Sequence, residues 1–149
     1  MYLLDTNHCS RIIQGDRPVI NRIIEVGESQ VATCVIVQGE LLYMAYKSEQ
    51  KARNLAQVNL FLEDIRIYRI DEVTANIYAE FKAEILEYFG PKERNKRRKI
   101  RIENLGIGEN DLWIAAIALR NGLTLVSGDR DFQRMQAVKA LPLESWLAS

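Results

Sequence analysis

The sequence predicts an α/β fold built on an open parallel sheet, and three observations carry that prediction. Short apolar runs recur at residues 2–4, 30–33, 65–70 and 123–126, each too short to be a helix. Between them lie longer segments with apolar residues at helical spacing, so strand and helix alternate. The first and fourth runs open into polar turns at Asp5 and at Ser127-Gly128-Asp129, as buried strands do at their carboxyl ends. With 149 residues and 48% hydrophobic side chains, one domain spanning 1–149 can bury an ordinary core without disulfide or zinc staples.

Taken in order, residues 2–4 form a strand in the middle of the sheet, followed by a polar turn at Asp5-Thr6-Asn7. Asp16 caps a helix with Pro18 in its first turn and Val19, Ile20, Ile23, Ile24 and Val26 along it, and Gly27 ends it. Residues 30–33 are the second strand. A helix over 35–46 carries Val37, Leu41 and Met44 on one stripe, with Glu40 close to its start; a third helix over 48–63 follows. Residues 65–70 alternate apolar and basic side chains, which suits a strand nearer an edge. Asp71 caps a long helix whose stripe is Val73, Ile77, Phe81, Ile85 and Tyr88, and Gly90-Pro91 breaks it. Asn110 is the expected cap of a helix over 111–120, where eight consecutive apolar residues, 112–119, imply burial nearly all round. Asn121-Gly122 closes it, residues 123–126 are the fourth strand, a short helix surrounds Phe132, and residues 137–139 are the expected fifth strand.

Formal charge cancels, 20 basic residues against 20 acidic, so attraction to a polyanion has to come from local clustering. Such a cluster exists at residues 92–101, with seven basic side chains and one acid. Cys9 and Cys34 are far apart and set among apolar residues, a usage that suits a reducing, cytoplasmic setting. The amino terminus lacks the pattern of a signal peptide, and no apolar run approaches a membrane span.

Four acids stand out. Asp5 and Asp129 follow strands, while Glu40 and Asp111 are expected in the first turns of helices, and in an open α/β sheet all of these positions face the carboxyl edge. Each alone is also explained as a turn residue or a helix-start acid. Together, in apolar surroundings where a lone charge is costly, they form an all-oxygen site suited to Mg²⁺ or Mn²⁺ and to phosphate-ester hydrolysis.

The segments Leu4-Asp5-Thr6-Asn7, Cys34-Val35-Ile36-Val37-Gln38-Gly39-Glu40-Leu41-Leu42, Asn110-Asp111-Leu112-Trp113-Ile114-Ala115-Ala116 and Ser127-Gly128-Asp129-Arg130-Asp131-Phe132 resemble the four acidic motifs of PIN-domain nucleases, and in particular of VapC-type toxin ribonucleases. The resemblance runs through nearly the whole chain in the expected order. It implies a three-layer α/β/α sandwich with a central parallel sheet of four to five strands. It also implies Mg²⁺ or Mn²⁺ held by Asp5, Glu40, Asp111 and Asp129, and endoribonuclease activity. Asn7 and Ser127 match polar positions that orient ligands or phosphate, and Asp131 either assists or caps the short helix after it. Partners implied in the same way are an RNA substrate, a small antitoxin with a segment near the acids, and a second copy in a homodimer. Cys34 and Val37 stand where many members have Ser and Thr, and Met44 where Gly is common; these departures concern packing around the site.

With His8 as the single histidine, a two-histidine metal-independent ribonuclease is excluded, as is a trihistidine zinc site. His8 is expected to be structural or to border the substrate. The basic run, above all Lys96, Arg97, Arg98 and Lys99, is either a solvated loop or an arm for RNA phosphates. Two other readings stay open. An aspartate-nucleophile phosphatase wants a second Asp two positions after the first, where this chain has Asn7; a non-catalytic binding module would not need all four acids.

Overall fold

The computed structural model describes residues 1–148, which among them form five strands and eight α-helices. Strand β1 (Tyr2–Leu4) lies at the centre of the sheet. It is flanked on one side by β2 (Val31–Cys34) and then β3 (Arg66–Tyr68), and on the other by β4 (Thr124–Val126) and β5 (Leu143–Glu144). All pairings are parallel, with Leu3 opposite Ala32 and Leu125. Such a sheet needs apolar residues on both faces. Leu3, Leu4, Ala32, Cys34, Leu125 and Val126 are all fully buried. The order β3-β2-β1-β4-β5 reverses direction at β1, so the crevice beyond the carboxyl ends of β1 and β4 is the place where such folds take ligands.

The helices are α1 (Thr6–Ile13), α2 (Arg17–Val26), α3 (Val35–Tyr46), α4 (Lys51–Glu63), α5 (Glu72–Phe89), α6 (Arg94–Lys99), α7 (Glu109–Asn121) and α8 (Arg130–Met135). They complete the predicted α/β/α layering. Gly27, at φ 94°, ends α2, and Gly122, at φ 63°, ends α7, both as expected. In α7, Leu112 and the run 114–118 are buried, which bears out its all-round apolar pattern. Helix α5 runs antiparallel to α7: Asp71, which caps it, meets Arg120 at the end of α7, and Lys82 meets Glu109 at the start of α7. The rest of α5 therefore projects roughly 10 Å past the start of α7, at 1.5 Å per residue. This overhang leaves Tyr88 exposed, and Val73 is exposed at the other end; neither joins the expected buried stripe.

Four expectations need correction. Residues 6–13 continue from Asp5 as a helix and not as an open turn, because Asp5 itself caps them. Residues 137–139 are not a strand: Val138 and Lys139 donate their N–H groups back to Met135, prolonging the turn of α8. The fifth strand is Leu143–Glu144, immediately after Pro142, at the sheet edge where a proline costs no ladder bond. Helix α7 begins two residues earlier than expected, with Gly108 and not Asn110 at its cap. The basic run folds in part into α6 and lies beside α5, with a cavity between them lined by Leu86, Glu87, Arg94 and Arg97, and with Arg97 half-buried and donating to the Lys92 carbonyl at 3.1 Å.

Candidate active site

Each predicted acid is delivered to the carboxyl edge of the sheet by the element before it. Asp5 follows β1, and its backbone N–H donates to Val126 at 3.1 Å, so it lies beside the end of β4. Its carboxylate caps α1: Oδ1 accepts the His8 backbone N–H at 2.9 Å and faces His8 Nδ1 at 2.8 Å. Only 7% of Asp5 is exposed. Glu40 stands in the second turn of α3, one turn later than expected, and its Oε1 accepts the Thr6 hydroxyl at 2.8 Å. That bond ties Glu40 to the residue next to Asp5.

Asp111 lies in the first turn of α7, half-buried. Asp129 caps α8 by accepting the Asp131 N–H at 2.9 Å, and Asp131 occupies the first turn of that helix. These three carboxylates form the tightest group: one oxygen from each lies within 4.8 Å of the others. Asp131 also reaches the Gly108 N–H at 3.4 Å, joining the start of α8 to the start of α7. Asp131 thus takes a central place in the geometry, where sequence reasoning left open a mere cap. The signal was its spacing, two residues after Asp129 across a helix start, which puts both side chains at the same helix end.

The cost of gathering these charges falls on Asp111. Burial first, then the neighbouring Asp129 and Asp131, a hydrogen bond shared with Asp131, and finally Glu40 push its carboxyl up to about 7 from an ordinary 3.8. Among the described residues no lysine or arginine pairs with Asp111, Asp129 or Asp131. Asp111 therefore either keeps its proton toward neutral pH or gives it up to a bound cation. Carboxylate oxygens at helix N-termini, uncompensated by protein cations, are the donor set that Mg²⁺ or Mn²⁺ accepts. The residues present fit such an ion.

Of the supporting positions, Asn7 is exposed on α1. Ser127 is 2% exposed, and its Oγ accepts the Asp129 N–H at 3.0 Å, so it shapes the turn that presents Asp129. His8 is fully buried and has no path to a substrate, which leaves its structural reading. Beside Glu40 a cavity of about 610 Å³ runs between Thr6, Tyr43, Met44, Lys47 and Asn110. Tyr43 is 64% exposed along it, whereas Trp113 is half-buried and stacks on Tyr78 at 3.6 Å between ring centroids. Helix α6 presents Lys96, Arg98 and Lys99 to solvent. It follows the overhanging end of α5, where Arg134 of α8 lies 5.0 Å over the Phe89 ring. The basic helix therefore follows the end of α5 on which the last turn of α8 rests.

Comparison with known proteins agrees with this architecture. The family model for the PIN domain matches residues 2–138. Ribonuclease VapC2 of Haemophilus influenzae is 34% identical over 149 residues, covering 98% of each chain. The tRNA(fMet)-specific endonuclease VapC of Shigella flexneri is 26% identical over 146 residues, covering 97% of each. Among solved structures, VapBC2 from Rickettsia felis bound to a DNA fragment from its promoter contains a chain with TM-score 0.76 and 28% identity, with 98% of both chains covered. DNA-bound VapBC from Salmonella typhimurium contains another at TM-score 0.79 and 24% identity, again with 98% coverage of both, a likeness of fold. The chain belongs to the PIN domain family, in the group of the VapC ribonucleases.

Proposed function

We propose that this protein is a Mg²⁺- or Mn²⁺-dependent endoribonuclease acting as the toxin of a toxin-antitoxin pair, with the whole of 1–149 as its nuclease domain. The observation that carries the reading is the cluster of Asp111, Asp129 and Asp131, whose carboxylate oxygens meet within 4.8 Å without a protein cation to balance them. VapC relatives named as ribonucleases, along the full length of the chain, support the same chemistry.

Asp5, Glu40, Asp111 and Asp129 would hold the ion, with Asp131 completing the set. When bound, it supplies an activated water and neutralises charge on the scissile phosphate. The protein's own part is to fix the donors. Thr6 holds one oxygen of Glu40, Ser127 sets the Asp129 turn, and the starts of α7 and α8 place partial positive charge behind Asp111 and Asp131. Asn7, exposed next to Asp5 and Thr6, would meet substrate phosphate. Lys96, Arg97, Arg98 and Lys99 hold the RNA backbone electrostatically from the basic helix. A small antitoxin would seat a segment in the cavity beside Glu40, against exposed Tyr43 and Met44. Among the described residues no helix is long and apolar enough to cross a membrane, and action as a cytoplasmic homodimer is part of the proposal.

The test is cleavage of RNA by purified protein with Mg²⁺ or Mn²⁺ against a chelator. Cleavage that needs the metal and disappears in Asp129→Asn supports the reading. Metal-independent cleavage, phosphate release from small esters, or RNA binding without cleavage overturns it in favour of another chemistry.

A further inference from the structure

His8 links the amino-terminal acid of the site to the far end of the chain. Its ring is fully buried, with Nδ1 at 2.8 Å from Asp5 Oδ1 and Nε2 accepting the Trp146 backbone N–H at 3.0 Å, across 138 positions of sequence. A backbone N–H can only donate, so Nε2 carries no proton and the neutral ring holds its hydrogen on Nδ1, where it donates to Asp5. Tautomer and ring orientation are therefore both set by the Trp146 amide. Trp146 is itself held: 6% exposed, its ring edge-on to Tyr2 at 5.2 Å, its indole N–H donating to Glu144 at 2.9 Å, and the Arg22 guanidinium 5.8 Å over the ring.

The consequence falls on Asp5. Both of its hydrogen bonds from His8, backbone and ring, land on Oδ1. Among the described residues none is made to Oδ2. Two donors on one oxygen fix the position of Oδ1 and leave Oδ2 as the oxygen free of protein donors among the described residues. The backbone bond from His8 is what any N-cap makes, and would fix a cap alone. The ring bond is additional, and it is braced from a strand end on the opposite side of the sequence.

We propose that His8 is a positioning residue: through the Trp146 amide it is locked in the Nδ1–H tautomer and aims the Asp5 carboxylate for the divalent ion, so that the carboxyl-terminal segment is part of the site's support. This rests on the reading of Asp5 as a metal-holding acid. Such an outer partner typically contributes 10- to 100-fold in metal affinity.

The experiment measures Mn²⁺ affinity by titration calorimetry and electron paramagnetic resonance, beside thermal unfolding, in wild type, Asp5→Asn, His8→Leu and His8→Asn. Asn keeps a donor at the Nδ1 position and loses the acceptor for Trp146. The expected result is a loss of about 10- to 100-fold in Mn²⁺ affinity in His8→Leu. Partial recovery in His8→Asn is expected with it, as is a fall in kcat for RNA cleavage larger than any rise in KM. An unchanged affinity in His8→Leu alongside a loss in Asp5→Asn overturns the positioning role and leaves the metal reading intact; an unchanged affinity in Asp5→Asn overturns that reading itself. Nitrogen-15 NMR of the wild-type imidazole needs no variant to fold. It should show Nδ1 protonated and Nε2 bare at neutral pH, and the opposite tautomer or a doubly protonated ring overturns the proposal.

Discussion

Thr6 and Glu40 are 34 positions apart in sequence, yet the Thr6 hydroxyl donates to Glu40 Oε1 at 2.8 Å. This bond joins the first residue of α1 to the second turn of α3, and so ties Glu40 to the residue after Asp5. A hydrogen bond to a charged acceptor contributes about 1.5–3 kcal/mol when its partner stays dry, and less where water competes. Glu40 is half-buried, so the lower end applies. Thr6→Val should lower metal-dependent RNA cleavage about tenfold, or ~1.4 kcal/mol in activation free energy. Thr6→Ser, which keeps the hydroxyl, should stay near wild type. Initial rates at saturating Mn²⁺ check this, and equal rates in the Val and Ser variants would show that Thr6 does not orient Glu40.

The crowding of Asp111 predicts a pH dependence with a definite sign. In the unfolded chain its carboxyl ionises near 3.8, whereas in the folded protein it keeps its proton until about 7. Between those values the folded state binds more protons, so metal-free stability falls as pH rises from about 4 through 7. Asp111→Asn removes this contribution. The metal-free Asn variant should therefore melt higher than wild type at pH 8 and converge with it near pH 4. Mn²⁺ competes with the proton, so it should raise the wild-type Tm more at pH 8 than at pH 5.5, and should lose most of that effect in the variant. Melting curves over this range, with and without Mn²⁺, check both.

The parts of this molecule that sequence made legible are those fixed by local pattern. The run 112–119 could be nothing but a buried helix, and Asp71, Gly27 and Gly122 marked helix ends by chemistry that acts within one turn. Four acids could be read as a set because strand ends and helix starts face one edge of a parallel sheet, and of these the structure brings Asp111 and Asp129 together, with Asp131 as the third. What escaped was long-range or ambiguous. Residues 6–13 hold Asn7, His8 and Ser10, a polar opening that reads as a turn until Asp5 is seen capping it. Strand β5 has two residues and exists only because Leu125 and Ser127 donate to the Pro142 and Glu144 carbonyls. Trp146 over His8 depends on a chain end returning across the sheet, and no periodicity within a window reports that.

The basic helix predicts a salt effect separable from chemistry. Lys96, Arg98 and Lys99 are exposed on α6, and among the described residues only Lys96 is paired with an acid, Glu93 at 3.6 Å. If these side chains meet RNA phosphates, each contact releases counterions and adds about 0.7 to the slope of log affinity against log salt for a single strand. Replacing Lys96, Arg97, Arg98 and Lys99 by Gln should weaken RNA binding at low salt and flatten that slope. The rate on a saturating short oligonucleotide should hardly change, because the acids are untouched. Binding isotherms across a salt series decide it, and an unaltered slope would return the helix to the role of a solvated surface.

Both cysteines lie behind the site, and their burial sets their reactivity. Cys9 on α1 and Cys34 at the end of β2 are fully buried; Cys9 Sγ sits 3.7 Å from the Thr33 hydroxyl, which in turn donates to the Leu4 carbonyl at 2.9 Å. Burial pushes the Cys34 thiol up to about 11, and pushes Cys9 higher still, with the Asp5 charge adding to the effect. A thiol so far above neutral pH has almost no thiolate, and the thiolate is the form that attacks disulfides or alkylating agents. Native protein at pH 8 should therefore show no fast-reacting thiol with a disulfide reagent, and both should appear together in denaturant. The slow native reaction should track the unfolding rate and accelerate with temperature as unfolding does. A variant that opens the core near α1 and β2, such as Val37→Ala, should speed both thiols in proportion to the stability it loses, since Val37 is completely buried on the adjoining helix. Rapid labelling of one cysteine in the native wild type would mean that the β2–α3 corner opens without global unfolding, and that the packing behind Asp5 and Glu40 is looser than the buried core implies.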